Sequence, residues 1–108
     1  MAQSPSLMAG VPELIVLRLL SAREMYGYEL AREIRESTRD AISLGEGVLY
    51  PALHAMESRG FVKTRRRTVS GRTRVYYTIT AKGTRRLGEL SQEWRRIAGG
   101  VESVLVDA

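Results

Sequence analysis

The segment from Ser58 to Gly88 combines strand-forming residues with a dense field of positive charge. It contains ten Lys and Arg residues and no Asp or Glu. Two runs rich in β-branched and aromatic residues, 61–65 and 74–79, bracket Ser70-Gly71 within it, and this pattern predicts a β-hairpin. So short a hairpin cannot bury these cations, so they must face water or a polyanion. The sequence therefore predicts an exposed basic hairpin.

The second run of this hairpin predicts which side chains face the core. Because side chains alternate across a strand, Val75, Tyr77 and Ile79 are expected to point inward. The side chains between and before them are expected to point outward into water: Arg74, Tyr76 and Thr78.

Two helices are predicted near the start of the chain. Leucines recur at helical spacing after Pro12 and predict a first helix over about 11–22. The preceding residues, 1–10, lack periodicity and are expected to form a flexible arm. A second periodic stretch begins at Tyr26-Gly27 and ends near Ser37.

A third helix is predicted before the hairpin. Ser43-Leu44-Gly45-Glu46 matches a capping box, so the helix is expected to begin there, and Gly60 is placed to close it in a left-handed conformation. Pro51 removes a backbone hydrogen bond inside this helix, which predicts a short, bent helix; the alternative is a helix that begins only at Tyr50. The apolar stripe of the helix is expected to contain Leu49, Leu53 and Met56.

Thr80 can cap a last helix that runs over 81–106, about 39 Å at about 1.5 Å per residue. The apolar residues of this helix recur at alternating spacings of three and four, which is a heptad pattern. They are Leu87, Leu90, Trp94, Ile97, Val101 and Val104. A chain of 108 residues cannot cover so long a helix with its own core, so these residues are expected to form a homodimer interface. Gly99-Gly100 is expected to weaken the last turns.

The order helix, helix, helix, hairpin is typical of a winged helix-turn-helix, in which the third helix enters the major groove and the hairpin, or wing, lies over the DNA backbone. The sequence thus predicts a mainly α fold with a small β-hairpin, divided into a DNA-binding domain over 11–80 and a dimerisation helix over 81–106. A two-fold dimer would place its recognition helices roughly 34 Å apart, which predicts a palindromic operator in double-stranded DNA.

Two groups of residues are candidates for contacts with DNA. Those predicted to reach the major groove are Ser43, Glu46, Gly47, Tyr50, Pro51 and His54. Those predicted to contact phosphates from the wing are Lys63, Arg65, Arg66, Arg67, Arg72, Arg74 and Tyr76. Such cations release counterions from DNA and make affinity depend on salt. The alternatives are a half-buried Tyr50 ring against the hairpin, a plainly exposed His54, and a basic loop that serves only solubility.

Trp94 is the only tryptophan and lies in the middle of the heptad pattern. It is either a packed aromatic of the interface or a stacking platform for a flat, apolar or cationic ligand between two subunits. The two roles are compatible with each other.

The sequence gives no support for catalysis, for a metal site or for a bound cofactor. There is no cysteine, and the single histidine, His54, has no partner at ligand spacing on its helix face. The chain shows neither a signal peptide nor a membrane span, so a cytoplasmic protein is expected.

Several motifs, in their order and spacing, resemble the PadR family of winged-helix transcriptional regulators across about residues 11–98. The matching segments are 14–20, 26–30, 47–53, 57–62 and 71–80, with Gly83 and Trp94. The family keeps the proline inside its recognition helix, which favours the bent helix for Pro51. One departure is Val48, where the family usually has Thr or Ser before Leu-Tyr-Pro.

The resemblance implies a homodimer, usually a repressor, that binds its own or a neighbouring promoter and is released by a small molecule. Short members, like this chain, dimerise through one C-terminal helix, and some bind planar aromatic drugs between paired tryptophans at the position that matches Trp94. A planar aromatic or phenolic effector is therefore expected. The competing hypotheses are a dimeric small-molecule sensor or adaptor that acts through protein contacts, and an RNA-binding module in which only Tyr76 could stack a base.

Overall fold

The computed structural model describes residues 7–106 of the chain. Its helices and strands follow one another in an order that matches the predicted fold class, with one additional short strand. They are α1 (Leu7–Leu20), β1 (Met25–Tyr26), α2 (Gly27–Ser37), α3 (Glu46–Ser58), β2 (Val62–Val69), β3 (Arg72–Ile79) and α4 (Ala81–Val106). The strands form one antiparallel sheet in the order β1-β3-β2. The predicted winged helix-turn-helix, mainly α with a long C-terminal helix, is confirmed.

Helix α1 differs from its predicted bounds at both ends. It begins at Leu7 rather than near residue 11 and ends at Leu20. Residues 7–10 are therefore helical rather than part of the predicted arm, because Leu, Met and Ala favour the helix even without an amphipathic pattern. The rest of that arm, residues 1–6, lies outside the described residues.

The hydrophobic core lies between the first three helices and the inner face of the sheet. Leu17 of α1, Ile34 of α2 and Leu53 of α3 are fully buried in it, together with Met25 of β1. The stripe predicted for α3, which comprises Leu49, Leu53 and Met56, is buried as expected. These contacts fix the orientation of α3, and thus determine which of its residues remain exposed.

The predicted capping box at the start of α3 is wrong. The N-cap is Gly45, whose carbonyl accepts hydrogen bonds from the N–H groups of Val48 (3.0 Å) and Leu49 (2.9 Å). Because the first turn closes on Gly45, Ser43 is left exposed in the preceding loop. The helix continues through Pro51, so the alternative start at Tyr50 is also wrong.

The predicted end of α3 is confirmed. Gly60 has φ of +82°, and its N–H donates to the Glu57 carbonyl (3.0 Å), while the Phe61 N–H donates to the Met56 carbonyl (2.9 Å). This pair of bonds is a Schellman motif, with the buried Phe61 and Met56 side chains at its two ends. The motif turns the chain directly from α3 into the hairpin.

The wing is a longer hairpin than predicted. Strands β2 and β3 pair from Val62–Ile79 to Val69–Arg72, and the two turn residues, Ser70 and Gly71, both have positive φ (53° and 78°). Positive φ at both positions is the signature of a two-residue type I′ turn, whose twist matches that of the flanking strands. The hairpin predicted around Ser70-Gly71 is confirmed.

The strand alternates as predicted, but the expected exposure of two side chains on β3 is wrong. Val75 shares a face with Tyr77, as expected, but it is exposed because the wing extends beyond the core. Tyr76 was expected in water yet is only 7% exposed. The short strand β1, which was not predicted, pairs with the free edge of β3 and places Tyr26 against Tyr76 with ring centroids 5.4 Å apart.

Helix α4 is capped as predicted, since the Thr80 hydroxyl accepts a hydrogen bond from the Gly83 N–H at 3.0 Å. The helix continues through Gly99 and Gly100 to Val106, so these glycines do not end it. The described chain measures 56 × 30 × 24 Å and has a radius of gyration of 15.3 Å, against about 13 Å for a compact domain of this length. Its shape is therefore elongated. Among the described helices, none has both the length and the apolar character needed to cross a membrane.

Candidate nucleic-acid interface

The outer side of α3 carries most of the residues predicted for the major groove. Gly47, Pro51 and His54 follow at intervals of four and three along one stripe, opposite the buried stripe, and all three are exposed. Glu46, in the first turn, is also exposed, as is Ser43 in the loop before the helix. Gly47 has no side chain and that of Pro51 is compact, so another surface can approach this stripe closely. His54 is its main hydrogen-bonding group.

Tyr50 differs from its neighbours because its ring is half-buried and packs against the core. It also lies on the backbone of Gly27 at the start of α2: a Cβ atom at Gly27 would be 2.3 Å from the Tyr50 hydroxyl oxygen and 2.8 Å from two ring carbons. The alternative of a half-buried ring is thus supported, although this contact is with α2 rather than with the hairpin. Tyr77 lies on β3, and its burial raises the pKa of its hydroxyl group, with smaller contributions from the nearby Glu57 and Tyr50.

The contact between Gly27 and Tyr50 leads to a testable expectation. Gly27→Ala should lower the free energy of unfolding by about 1–3 kcal/mol, because the added methyl group collides with the tyrosine ring. In a Tyr50→Ala background the same substitution should have a much smaller effect. Urea denaturation followed by circular dichroism measures the four variants of this double-mutant cycle. Equal losses in both backgrounds would contradict the contact.

The register of the wing places five of its six predicted cations on one face. Directly paired residues of an antiparallel hairpin point to the same side, so the pairs Arg65–Tyr76 and Arg67–Arg74 share a face. We call this the outer face; its residues include Lys63, Arg65, Arg67, Arg72, Arg74 and Tyr76. Arg66 pairs with Val75 on the opposite, inner face. The wing therefore presents most of its charge in one direction.

A carboxylate distant in sequence lies on this basic face. Glu24, which precedes β1, accepts two hydrogen bonds from Arg65, from Nε (2.9 Å) and Nη2 (2.7 Å), and one from Nη1 of Arg67. The hydrogen bonds from Arg65, and the positive charges of both arginines, hold the pKa of Glu24 below its usual range. Two of the predicted phosphate contacts are thus already engaged with an anion of the same chain.

Aromatic rings alternate with arginines on the outer face. The Arg67 guanidinium lies 4.7 Å from the Tyr76 ring centroid, and the Arg74 guanidinium lies 4.4 Å from that of Tyr26. These cation–π contacts, together with the packing of the two rings, cover Tyr76. Little of its surface is left for a phosphate or for stacking an unpaired base, which weakens the RNA-binding alternative.

The heptad pattern of α4 divides into two parts. Leu87 and Leu90 are half-buried and pack against the core of their own chain. Next to them, Arg86 pairs with Glu13 of α1 (3.2 Å), and the hydrogen bond to Glu13 raises the pKa of Arg86. These two leucines thus have an intramolecular role that the sequence did not reveal.

The second half of α4 is largely uncovered. Ile97 is half-buried, whereas Trp94 is 39% exposed and Val104 is 73% exposed; Val101 is also exposed. Leu105 and Val106 extend the exposed apolar surface to the end of the helix. An apolar surface of this kind favours association with another chain.

Val48, the position at which the PadR resemblance departs, does not lie on the outer stripe of α3. It lines a groove of about 330 Å³ between α1 and α3, with Pro12, Ala52, Ala55 and Arg59 among the other lining residues. The Val48 side chain therefore borders this groove beside the stripe formed by Gly47, Pro51 and His54, and 51% of its surface is exposed.

Comparison with known proteins gives a consistent result. Residues 16–89 match the Transcriptional regulator PadR-like family. The chain is 32% identical over 89 residues to the transcriptional regulator Rv3488 of Mycobacterium tuberculosis, a match that covers 79% of this chain and 80% of the relative.

Solved structures with the same fold include two bacterial regulators. A PadR family transcription regulator from Clostridium difficile is 34% identical, with a TM-score of 0.77 over 87% of this chain and 97% of the other. A transcriptional regulator from Clostridium thermocellum is 27% identical, with a TM-score of 0.83 over 92% and 97% of the two chains. The similarity thus includes the wing and continues into α4.

Proposed function

Because the chain belongs to the PadR-like family of transcriptional regulators, we propose that it is a sequence-specific DNA-binding repressor of its own or a neighbouring promoter, active as a ligand-responsive homodimer. The observation that carries the proposal is the combination of an exposed stripe on α3 with a basic wing directly after it. The stripe of Gly47, Pro51 and His54 would enter the major groove while the wing lies along the phosphates.

Dimerisation is supported by the exposed apolar half of α4. Trp94, Val101 and Val104 continue the heptad pattern beyond the part that packs on the chain's own core. Pairing this half with a second copy would bury these residues and would give two recognition helices related by two-fold symmetry, as a palindromic operator requires. Such a regulator would work in the compartment that holds its promoter, which we expect to be the cytoplasm.

Trp94 is the proposed site for an effector. Its indole is neither fully buried nor fully exposed, and it lies at the boundary between the covered and uncovered halves of α4. In a dimer, two such rings could hold a planar aromatic or phenolic molecule between them. Because it is the only tryptophan of the chain, its fluorescence reports binding directly.

Fluorescence-anisotropy titration of the chain's own promoter fragment against a scrambled duplex, across a salt series, tests the proposed function. A preference of about 10³-fold or more for the promoter is the expected result for a specific regulator. Equal binding that disappears as salt is raised would instead favour the second candidate, a dimeric sensor or adaptor that acts through protein contacts. The exposed apolar half of α4 supports this second candidate, because it offers a surface for contact with another protein.

Arg72 provides a prediction for the wing. It lies next to the turn, is exposed, and among the described residues has no carboxylate partner. Arg72→Ala should weaken binding to promoter and scrambled duplex alike and lower the salt slope of log K by about one unit, because one phosphate contact is lost. His54→Ala, on the exposed stripe of α3, should instead reduce the preference for the promoter. If both variants change the same quantity equally, the proposed division between wing and recognition helix fails.

A further inference from the structure

Glu24 is distinctive among the acidic residues of the chain because of where it lies. Among residues 10–106, it is the only carboxylate that forms an ion pair with a wing cation. It precedes β1, at one edge of the sheet, and its side chain reaches across β3 to Arg65 and Arg67 of β2.

We infer that Glu24 is an internal competitor of DNA phosphate, which occupies Arg65 and Arg67 and thereby lowers the affinity of the wing for unrelated DNA. This inference rests on the proposed DNA-binding function and adds to it a residue that limits non-specific binding. Its basis is the geometry of the carboxylate and its two guanidinium partners.

The hydrogen bonds of Glu24 are those a phosphate would make. Arg65 donates to both carboxylate oxygens through Nε and Nη2 at 2.9 and 2.7 Å, the bidentate arrangement that arginine also forms with phosphate. Arg67 adds a third bond to the same group. While Glu24 is in place, the donors of Arg65 that best match a phosphate are therefore occupied.

The ion pair is accessible and can be displaced. The Arg65 side chain is 60% exposed, and that of Arg67 is also substantially exposed, so DNA can approach both guanidinium groups. The Glu24 side chain is only 20% exposed, but both guanidinium groups are open to solvent, so salt screens the pair. A phosphate brought close by complete docking on an operator can replace the carboxylate, whereas a loosely bound, unrelated duplex competes with it less well.

The charge of Glu24 is present at neutral pH. Hydrogen bonds from Arg65, and the charges of Arg65 and Arg67, keep its pKa below the usual value, so protonation does not release the arginines under ordinary conditions. Competition with phosphate, rather than a change of pH, is then the event that frees them.

The consequence for binding can be estimated from counterion release. Each phosphate neutralised contributes about 0.9 to the salt slope of log K, which corresponds to about 5-fold in affinity at roughly 0.15 M salt. Removing the charge of Glu24 frees up to two cations. Glu24→Gln should therefore bind a scrambled duplex about 5- to 30-fold more tightly than the wild-type chain, with a salt slope steeper by about one to two units.

The matched control is Glu102→Gln. It makes the same change of net charge on α4, at an exposed glutamate with no ion pair among the described residues. Its affinity for the scrambled duplex should stay close to that of the wild-type chain. A triple variant, Glu24→Gln with Arg65→Ala and Arg67→Ala, should lose the whole gain, because the cations freed by the first substitution are then absent.

The experiment is an anisotropy titration of the full chain with scrambled duplex across the salt series, after circular dichroism has shown that each variant is folded. Tighter binding and a steeper slope for Glu24→Gln alone support the inference. Unchanged affinity would mean that the pair lies away from DNA, and weaker binding would mean that Glu24 only positions the wing; either result overturns it. A wild-type chain that binds no duplex would contradict the proposed function instead.

Discussion

Gly83→Ala is expected to lower the free energy of unfolding by about 3 kcal/mol or more, the largest effect on stability that we expect from adding a single methyl group to this chain. A Cβ atom at this position would lie 2.0 Å from the backbone carbonyl oxygen of Phe61 and 2.8 Å from Cγ1 of Ile79. The carbonyl cannot move freely, because it accepts hydrogen bonds from both the N–H and the hydroxyl of Thr80 (each 3.1 Å). The first turn of α4 would have to shift away from the wing.

Gly88→Ala is the control for this prediction because it lies in the same helix. A Cβ atom at Gly88 would have no neighbour within 4 Å, so alanine should stabilise the helix by up to about 1 kcal/mol through its higher helix propensity. Urea denaturation followed by circular dichroism measures both variants. Opposite signs are expected. A similar small change for both would mean that the start of α4 does not pack as closely on Phe61 as the structure shows.

Val101→Asp is expected to convert the proposed dimer to monomers and to reduce operator affinity by about 10²-fold or more. Val101 lies in the exposed apolar half of α4, where pairing would surround an aspartate with apolar side chains. Each recognition helix would then bind its half-site alone and lose the advantage of linked binding. Analytical ultracentrifugation measures the oligomeric state, and anisotropy with the promoter fragment measures the affinity.

Ser103→Asp adds the same charge two residues away on a different side of α4, where the Ser103 hydroxyl donates to the Gly99 carbonyl at 2.9 Å. It should leave both the dimer and the operator affinity nearly unchanged. If the Val101→Asp variant still dimerises as tightly as the wild-type chain, association does not use this surface. Equal disruption by both variants would point to an effect of charge rather than of the apolar seam.

Local patterns in the sequence were sufficient to predict the helices, the hairpin and their order. Gly60 ends α3 with positive φ, and Thr80 caps α4, because both interactions depend on residues close along the chain. The capping box at Ser43 was predicted on the same kind of local evidence and is wrong. A short motif can match a capping pattern even where the helix begins two residues later, since glycine is also accepted at the N-cap and Gly45 takes that position here.

The strand β1 illustrates what local pattern cannot reveal. Two residues, Met25 and Tyr26, are too few to show any periodicity, yet their pairing with β3 buries Tyr76 and brings Glu24 onto the wing. The segment from Ser58 to Gly88 contains no Asp or Glu, so the sequence alone indicates an uncompensated positive charge. Its charge in the folded protein is nevertheless partly balanced by a residue 41 positions away from Arg65.

The sequence by itself determined the fold class, the family, the basic wing and the apolar stripes, because each depends on the spacing of residue types along one helix or strand. Only the tertiary structure decided that the Tyr50 ring lies on Gly27, that Leu87 and Leu90 pack on their own core, and that Glu24 occupies two of the wing arginines. These are contacts between segments distant in sequence. Their partners are chosen by how the elements pack in three dimensions, which no local spacing encodes.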